Sequence, residues 1–128
     1  MESRMMRTWA AALVLAAASV RGEQPASPPA PELTLAGEVV DMHCYLSRGA
    51  RGPEHAACAN ACLSRSVTPG FRAEDGRLFV LLSERPVSVK DVVAGLAGKP
   101  VTLKGSLVER DGVKGLQVKS VEPSASSK

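Results

Sequence analysis

Over its last third the chain alternates apolar and polar residues. Residues 100–110 (PVTLKGSLVER) and 113–121 (VKGLQVKSV) both follow a period near two, which predicts strands with one buried face. Asp111-Gly112 between them is a two-residue hairpin signal. Gly105 and Gly115 fall inside the pair and predict bending, as in a small sheet that curls on itself. Residues 77–82 (RLFVLL) form a solid apolar run that predicts a central strand. Residues 33–45 (LTLAGEVVDMHCY) predict a first strand with a bulge or bend at Gly37.

Two stretches follow a helical rather than a strand pattern. Residues 53–65 (PEHAACANACLSR) are rich in alanine, with Pro53 suited to a first helical turn and Glu54 to the positive N-terminal end. Residues 87–96 (VSVKDVVAGL) predict a short helix, with Ser88 as N-cap, Asp91 as capping-box acid and Gly98 beyond the stop. Gly49, Gly52 and Pro53 mark residues 47–53 as a loop, Pro69-Gly70 marks 67–76 as a turn region, and 83–86 is a connection.

Strand, helix, strand, helix, hairpin is an order that fits a mainly β protein. We expect a small OB-like bent β-barrel of four or five strands with a helical insert after the first strand. A split α+β sandwich is the alternative. Residues 33–122 are enough for one small domain and not for two.

The chain begins with Arg4 and Arg7, an apolar run over residues 9–20 and then small residues. That pattern predicts a secretory signal peptide over residues 1–22, cleaved after Ala18, Gly22 or Ala26, with Gly22 favoured. An uncleaved anchor is the alternative, although the run is short for a membrane span. Residues 23–32 read as a proline-rich spacer and 123–128 as a polar tail. The expected location is therefore periplasmic or extracellular, with no membrane span after cleavage.

Charge changes little once the leader is set aside. Arg4, Arg7 and Arg21 against Glu2 account for most of the formal +3, so the remainder is nearly neutral. Together with just Tyr45, Phe71 and Phe79 as aromatics beyond Trp9, this argues against a nucleic-acid partner.

The chemistry is concentrated in one place. All three cysteines, Cys44, Cys58 and Cys62, lie within nineteen residues together with His55, and His43 abuts the first. On a continuous helix His55, Cys58 and Cys62 stand at i, i+3 and i+7, one face. Cys44, at the end of the first strand, would complete a Cys3His set suited to tetrahedral Zn²⁺ or to Cu(I). A small core gains folding free energy from such an ion. His43 should face away from Cys44 on a strand and meet solvent. Tyr45 is a candidate hydrogen-bonding neighbour of the site, Asp41 a candidate loop cap, and Met42 a core residue rather than a thioether ligand.

Two other uses of the same sulfurs stay open. In an oxidising compartment Cys44 could bridge to Cys58 or Cys62, and Cys58 to Cys62 across about 6 Å of helix. Any one bridge leaves an odd thiol, which favours metal. A thiolate at Cys58 near a helix N-terminus and His55 could instead support thiol–disulfide exchange. The C-x-x-C-H of covalent haem, a fourth thiolate for an iron–sulfur cluster and a phosphate loop are missing from the sequence. A protein without catalytic activity, carrying a metal ion, with a periplasmic protein as a candidate partner, is the expectation.

Gly37, Val39-Val40-Asp41, Cys44-Tyr45, Gly49, Gly52, His55, Cys58-Ala59 and Cys62 together resemble a group of small secreted bacterial proteins. They share Gly-x-Val-Val-Asp, then Cys-Tyr, then Gly-x2-Gly-x2-His-x2-Cys-Ala-x2-Cys. The resemblance implies a glycine after the helix, within Gly-x-Pro-x-Gly. This chain has Ser66 and then Thr68-Pro69-Gly70, a departure that bears on how the helix stops.

Overall fold

The computed structural model describes residues 27–125. The expected leader lies outside the described residues, as do the start of the spacer and the last three residues of the tail. The elements run β1 (Glu32–Asp41), α1 (Met42–Arg48), a 3₁₀ turn (Pro53–His55), α2 (Ala56–Ser64), β2 (Pro69–Ala73), β3 (Leu78–Ser83), α3 (Val89–Val92), β4 (Pro100–Arg110) and β5 (Val113–Pro123). The strands close into a five-stranded barrel in the order β1-β2-β3-β5-β4, with β4 returning to β1. The OB-like barrel with a helical insert after the first strand is the fold of this chain. No helix among the described residues is long and apolar enough to cross a membrane.

Closure depends on β1 changing partners partway along. Glu32 to Glu38 pair antiparallel with β4, and Gly37 to Asp41 pair antiparallel with β2. Gly37 belongs to both ladders, opposite Val101 and Ala73. A Cβ there would run into the Arg72 carbonyl oxygen and lie 2.8 Å from the Phe71 ring, so the bend the sequence predicts is also a close backbone approach. β3 and β5 pair in parallel, Val80 to Gly115 through Ser83 to Val118. The β4–β5 hairpin shifts register between Lys104 and Gly105. Its turn has Asp111 at φ 51° and Gly112 at φ 83°, the positive pair that a type I′ turn requires.

Alternation along the strands sends Val39, Phe71, Phe79, Leu81, Val101, Leu103, Leu116 and Val118 inward, all at most 3 % exposed. Ala59 and Leu63 of α2, with Val93 and Ala97, pack on the same core. At about 25 cal/mol per Å², each fully buried Leu, Val or Phe contributes about 1.5–3 kcal/mol. The core therefore holds α2 against the barrel as well as the strands against each other.

Four local expectations are corrected. The first strand ends at Asp41, not Tyr45, and α1 begins at once. Residues 69–73 are a strand, although Pro69-Gly70 suggests a turn. Proline is tolerated as the first strand residue, and Met42 lies directly over Gly70 where a Cβ would be. The helix predicted over 87–96 shrinks to Val89–Val92. Ser88 makes no side-chain cap, and Ser83 Oγ accepts from the Val89 N–H at 3.0 Å instead. The polar tail starts later than residue 123: Pro123 ends β5, and the Ser124 N–H donates to the Pro100 carbonyl at 2.9 Å.

Candidate metal centre

The site starts from the buried end of β1. Asp41 is fully buried, and its two oxygens have separate tasks. Oδ1 accepts from the Cys44 N–H at 2.7 Å and caps α1, with Asp41 itself extended at φ −80°, ψ 126°. Oδ2 lies 3.0 Å from His55 Nε2. One carboxylate thus fixes the helix that carries the first cysteine and ties down the turn preceding the other two. Burial works against its ionisation. The hydrogen bonds from the Cys44 N–H and the His55 ring outweigh that and hold its pKa below the usual carboxylate value.

Between α1 and α2 the chain reverses on two glycines. Gly49 ends α1 in the left-handed region at φ 69°, and its N–H donates to the Tyr45 carbonyl at 2.7 Å. Gly52, at φ 78°, donates to Glu38 Oε2 at 2.9 Å, and Arg51 pairs with the same carboxylate at 3.2 Å. Glu38 on β1 therefore fastens the loop to the barrel. Asn60 fastens α2: its Nδ2 donates to the Ala56 carbonyl at 2.8 Å, and its Oδ1 accepts from the Ala97 N–H at 3.1 Å.

These constraints bring the Cys44, Cys58 and Cys62 sulfurs together, every pair within 4.8 Å. Cys44 is buried, Cys62 half-buried and Cys58 exposed, so the cluster runs from the core to the surface. All three thiols are unbridged. Burial pushes the Cys44 thiol up, and the Asp41 carboxylate beside it adds to the effect. Burial also raises Cys62, followed by the neighbouring Cys58. Arg48 acts in the opposite direction: its Nη2 donates to Cys44 Sγ at 3.1 Å, and its charge favours the thiolate.

His55 lies beside the cluster rather than at its centre. It forms a second set with Asp41 and Cys44, their ligand atoms again within 4.8 Å of one another, while the three-sulfur set does not include it. The cause is local. The expected continuous helix over 53–65 opens with a 3₁₀ turn, Pro53–His55, so His55 leaves the 3.6-residue spiral that would align it with Cys58 and Cys62. Its bond to Asp41 then holds the ring. Cys44 is a residue of α1, not of a strand end, and still reaches the other two sulfurs.

His43 is exposed, and its carbonyl accepts from Ser47 Oγ at 2.7 Å. The Tyr45 hydroxyl accepts from Arg72 Nε on β2 at 3.2 Å. Met42 packs over Gly70. Asp41 and Arg48 are the site residues that the sequence understated. An aspartate three residues before Cys44 was a legible cap signal, whereas nothing in the sequence spacing points to Arg48 meeting a sulfur.

Fold and site together define an OB-like barrel bearing, on a helical insert, a cluster of three thiols close enough together that they could hold one metal ion. No protein-family model and no curated protein matches the chain.

Proposed function

We propose that the protein is exported and binds a soft metal ion, Cu(I) or Zn²⁺, through Cys44, Cys58 and Cys62, with His55 adjoining the set. Its role is carriage or sequestration rather than catalysis. The observation that carries this reading is the mutual approach of the three sulfurs within 4.8 Å. With metal–sulfur bonds of about 2.3 Å, thiolates around one ion stand about 3.8–4.0 Å apart, so closing onto an ion takes small side-chain adjustments. The exposed Cys58 gives an incoming ion, or an incoming ligand of a partner, a point of first contact. Export is the expectation from residues 1–22, and the near-neutral remainder fits a small cation cargo better than a nucleic acid.

The same closeness supports a second reading, a disulfide-stapled interaction module, because two of the sulfurs can bridge in an oxidising compartment. A thiol redox protein would use the same pair reversibly. Metal analysis and thiol counting on protein purified without chelator decide among these. One ion per chain, with three thiols titrating after chelation, is the expected result. One thiol and no metal refutes the proposal and favours the staple, and a reversible two-electron couple well above about −300 mV favours redox work.

A further inference from the structure

We propose that the ion is monovalent copper, held by Cys44, Cys58 and Cys62 alone in a three-coordinate arrangement, with His55 kept off it by Asp41. This rests on the soft-metal reading above and adds the ion's identity and coordination number.

Among the described residues three sulfurs lie within 4.8 Å of one another, and no fourth ligand atom joins that set. Zn²⁺ in structural sites takes four, tetrahedrally, whereas Cu(I) is selected by soft thiolates and is satisfied by three. The imidazole beside the cluster belongs to His55. Its Nε2 is engaged with Asp41 Oδ2 at 3.0 Å, and its ring neighbours Cys44 without joining the three-sulfur set. Asp41 cannot follow a moving ring, because its other oxygen caps α1 and the residue is fully buried. With Nε2 fixed on that carboxylate, the ring could offer an ion only its other nitrogen, and His55 is not part of the set in which all three sulfurs lie within 4.8 Å of one another.

Charge fits as well. Cu(I) bound to three thiolates carries two net negative charges beside the Asp41 carboxylate, and the Arg48 guanidinium already rests on Cys44 Sγ at 3.1 Å. The binding step is balanced without a redox partner: the ion enters monovalent, and each thiol that binds it releases one proton to solvent.

The test uses the reduced full chain, titrated anaerobically with Cu(I) in competition with bicinchoninate, and separately with Zn²⁺. One Cu(I) per chain is expected, with an X-ray absorption shell of three sulfurs and no nitrogen. His55→Gln should change Cu(I) affinity less than about threefold, while Cys44→Ser, Cys58→Ser and Cys62→Ser each lower it more than the roughly tenfold typical of losing an outer partner. Circular dichroism checks that the His55 variant is folded, and the absorption shell of the unaltered protein decides even if it is not. A nitrogen in the copper shell, or four-coordinate Zn²⁺ binding that His55→Gln weakens by about a hundredfold or more, overturns this inference and leaves the soft-metal reading standing. Binding of neither ion overturns both.

Discussion

Asp41→Ala removes a side chain that joins the barrel to both halves of the insert. Its carboxylate is fully buried and makes two short hydrogen bonds, 2.7 Å to the Cys44 N–H and 3.0 Å to His55 Nε2. Loss of a helix N-cap costs about 1 kcal/mol, within a range of about 0.5–2. Loss of a hydrogen bond to a charged group costs about 1.5–3 kcal/mol. Some of this is offset because a buried charge no longer needs solvation, so we expect a net loss of about 2–4 kcal/mol. A domain of this size is stable by about 5–13 kcal/mol in total, so a large share of its stability hangs on this residue. Asp41→Asn keeps an oxygen for the Cys44 N–H and an amide for the ring, and should lose only about 1 kcal/mol.

The assay is urea unfolding of the reduced, metal-free protein, followed by far-ultraviolet circular dichroism. With a slope of about 1–1.5 kcal/mol per molar urea, Asp41→Ala should lower the midpoint by about 2–3 M and Asp41→Asn by about 1 M. The pH dependence has a definite sign. Because the folded pKa lies below the usual value, the ionised carboxylate contributes fully above the unfolded pKa of about 3.9. That contribution declines below it and is gone once pH has fallen through the folded value. The gap between the wild-type protein and Asp41→Asn should therefore narrow as pH falls below about 4. If Asp41→Ala unfolds within about 0.5 kcal/mol of wild type, or if Asn is as damaging as Ala, the carboxylate does not hold the insert in place.

Three further outcomes follow from particular residues. Ser66 sits at φ 71° after α2, with the Ser66 N–H on the Leu63 carbonyl and the Val67 N–H on the Cys62 carbonyl, a Schellman stop built on a non-glycine residue; Ser66→Gly should raise stability by about 1 kcal/mol in the same urea assay, and a loss would refute the strain. Gly37→Ala places a Cβ against the Arg72 carbonyl and should cost at least about 3 kcal/mol or abolish folding, measured by thermal melting; a neutral change would mean β1 need not switch partners there. An ion that binds the cluster at about a hundredfold above its dissociation constant adds about 2.7 kcal/mol, so Tm should rise by about 10–20 °C, and its affinity should weaken steeply as pH drops, since burial keeps the Cys44 and Cys62 thiols protonated; an affinity that is flat between pH 6 and 8 would refute displacement of thiol protons.

The β4–β5 hairpin and the reversal at Gly49 and Gly52 were legible because each is decided by a few neighbouring residues. Asp111-Gly112 and the two loop glycines take the positive φ that their residue types favour. β2 was not legible, because its reasons lie elsewhere in the chain. Pro69 and Gly70 discourage a strand locally, yet they pair with Asp41 and Val40 and lie beneath Met42, so tertiary packing overrides propensity. The start of α1 is an intermediate case. Val39 and Val40 continue smoothly into Met42, Cys44 and Tyr45 as an apolar pattern, and only the cap at Asp41 turns strand into helix. The candidate site divides along the same line. Helical spacing alone places Cys58 and Cys62 one turn apart, because that relation is local. The arrival of Cys44, and the capture of His55 by Asp41, depend on a carboxylate buried at the end of β1 that bonds to residues three and fourteen positions away. A set of ligands read from spacing treats His55 as equivalent to the cysteines. The fold distinguishes them by giving the ring a partner of its own, so that His55 adjoins the three sulfurs through Cys44 rather than lying within reach of all three.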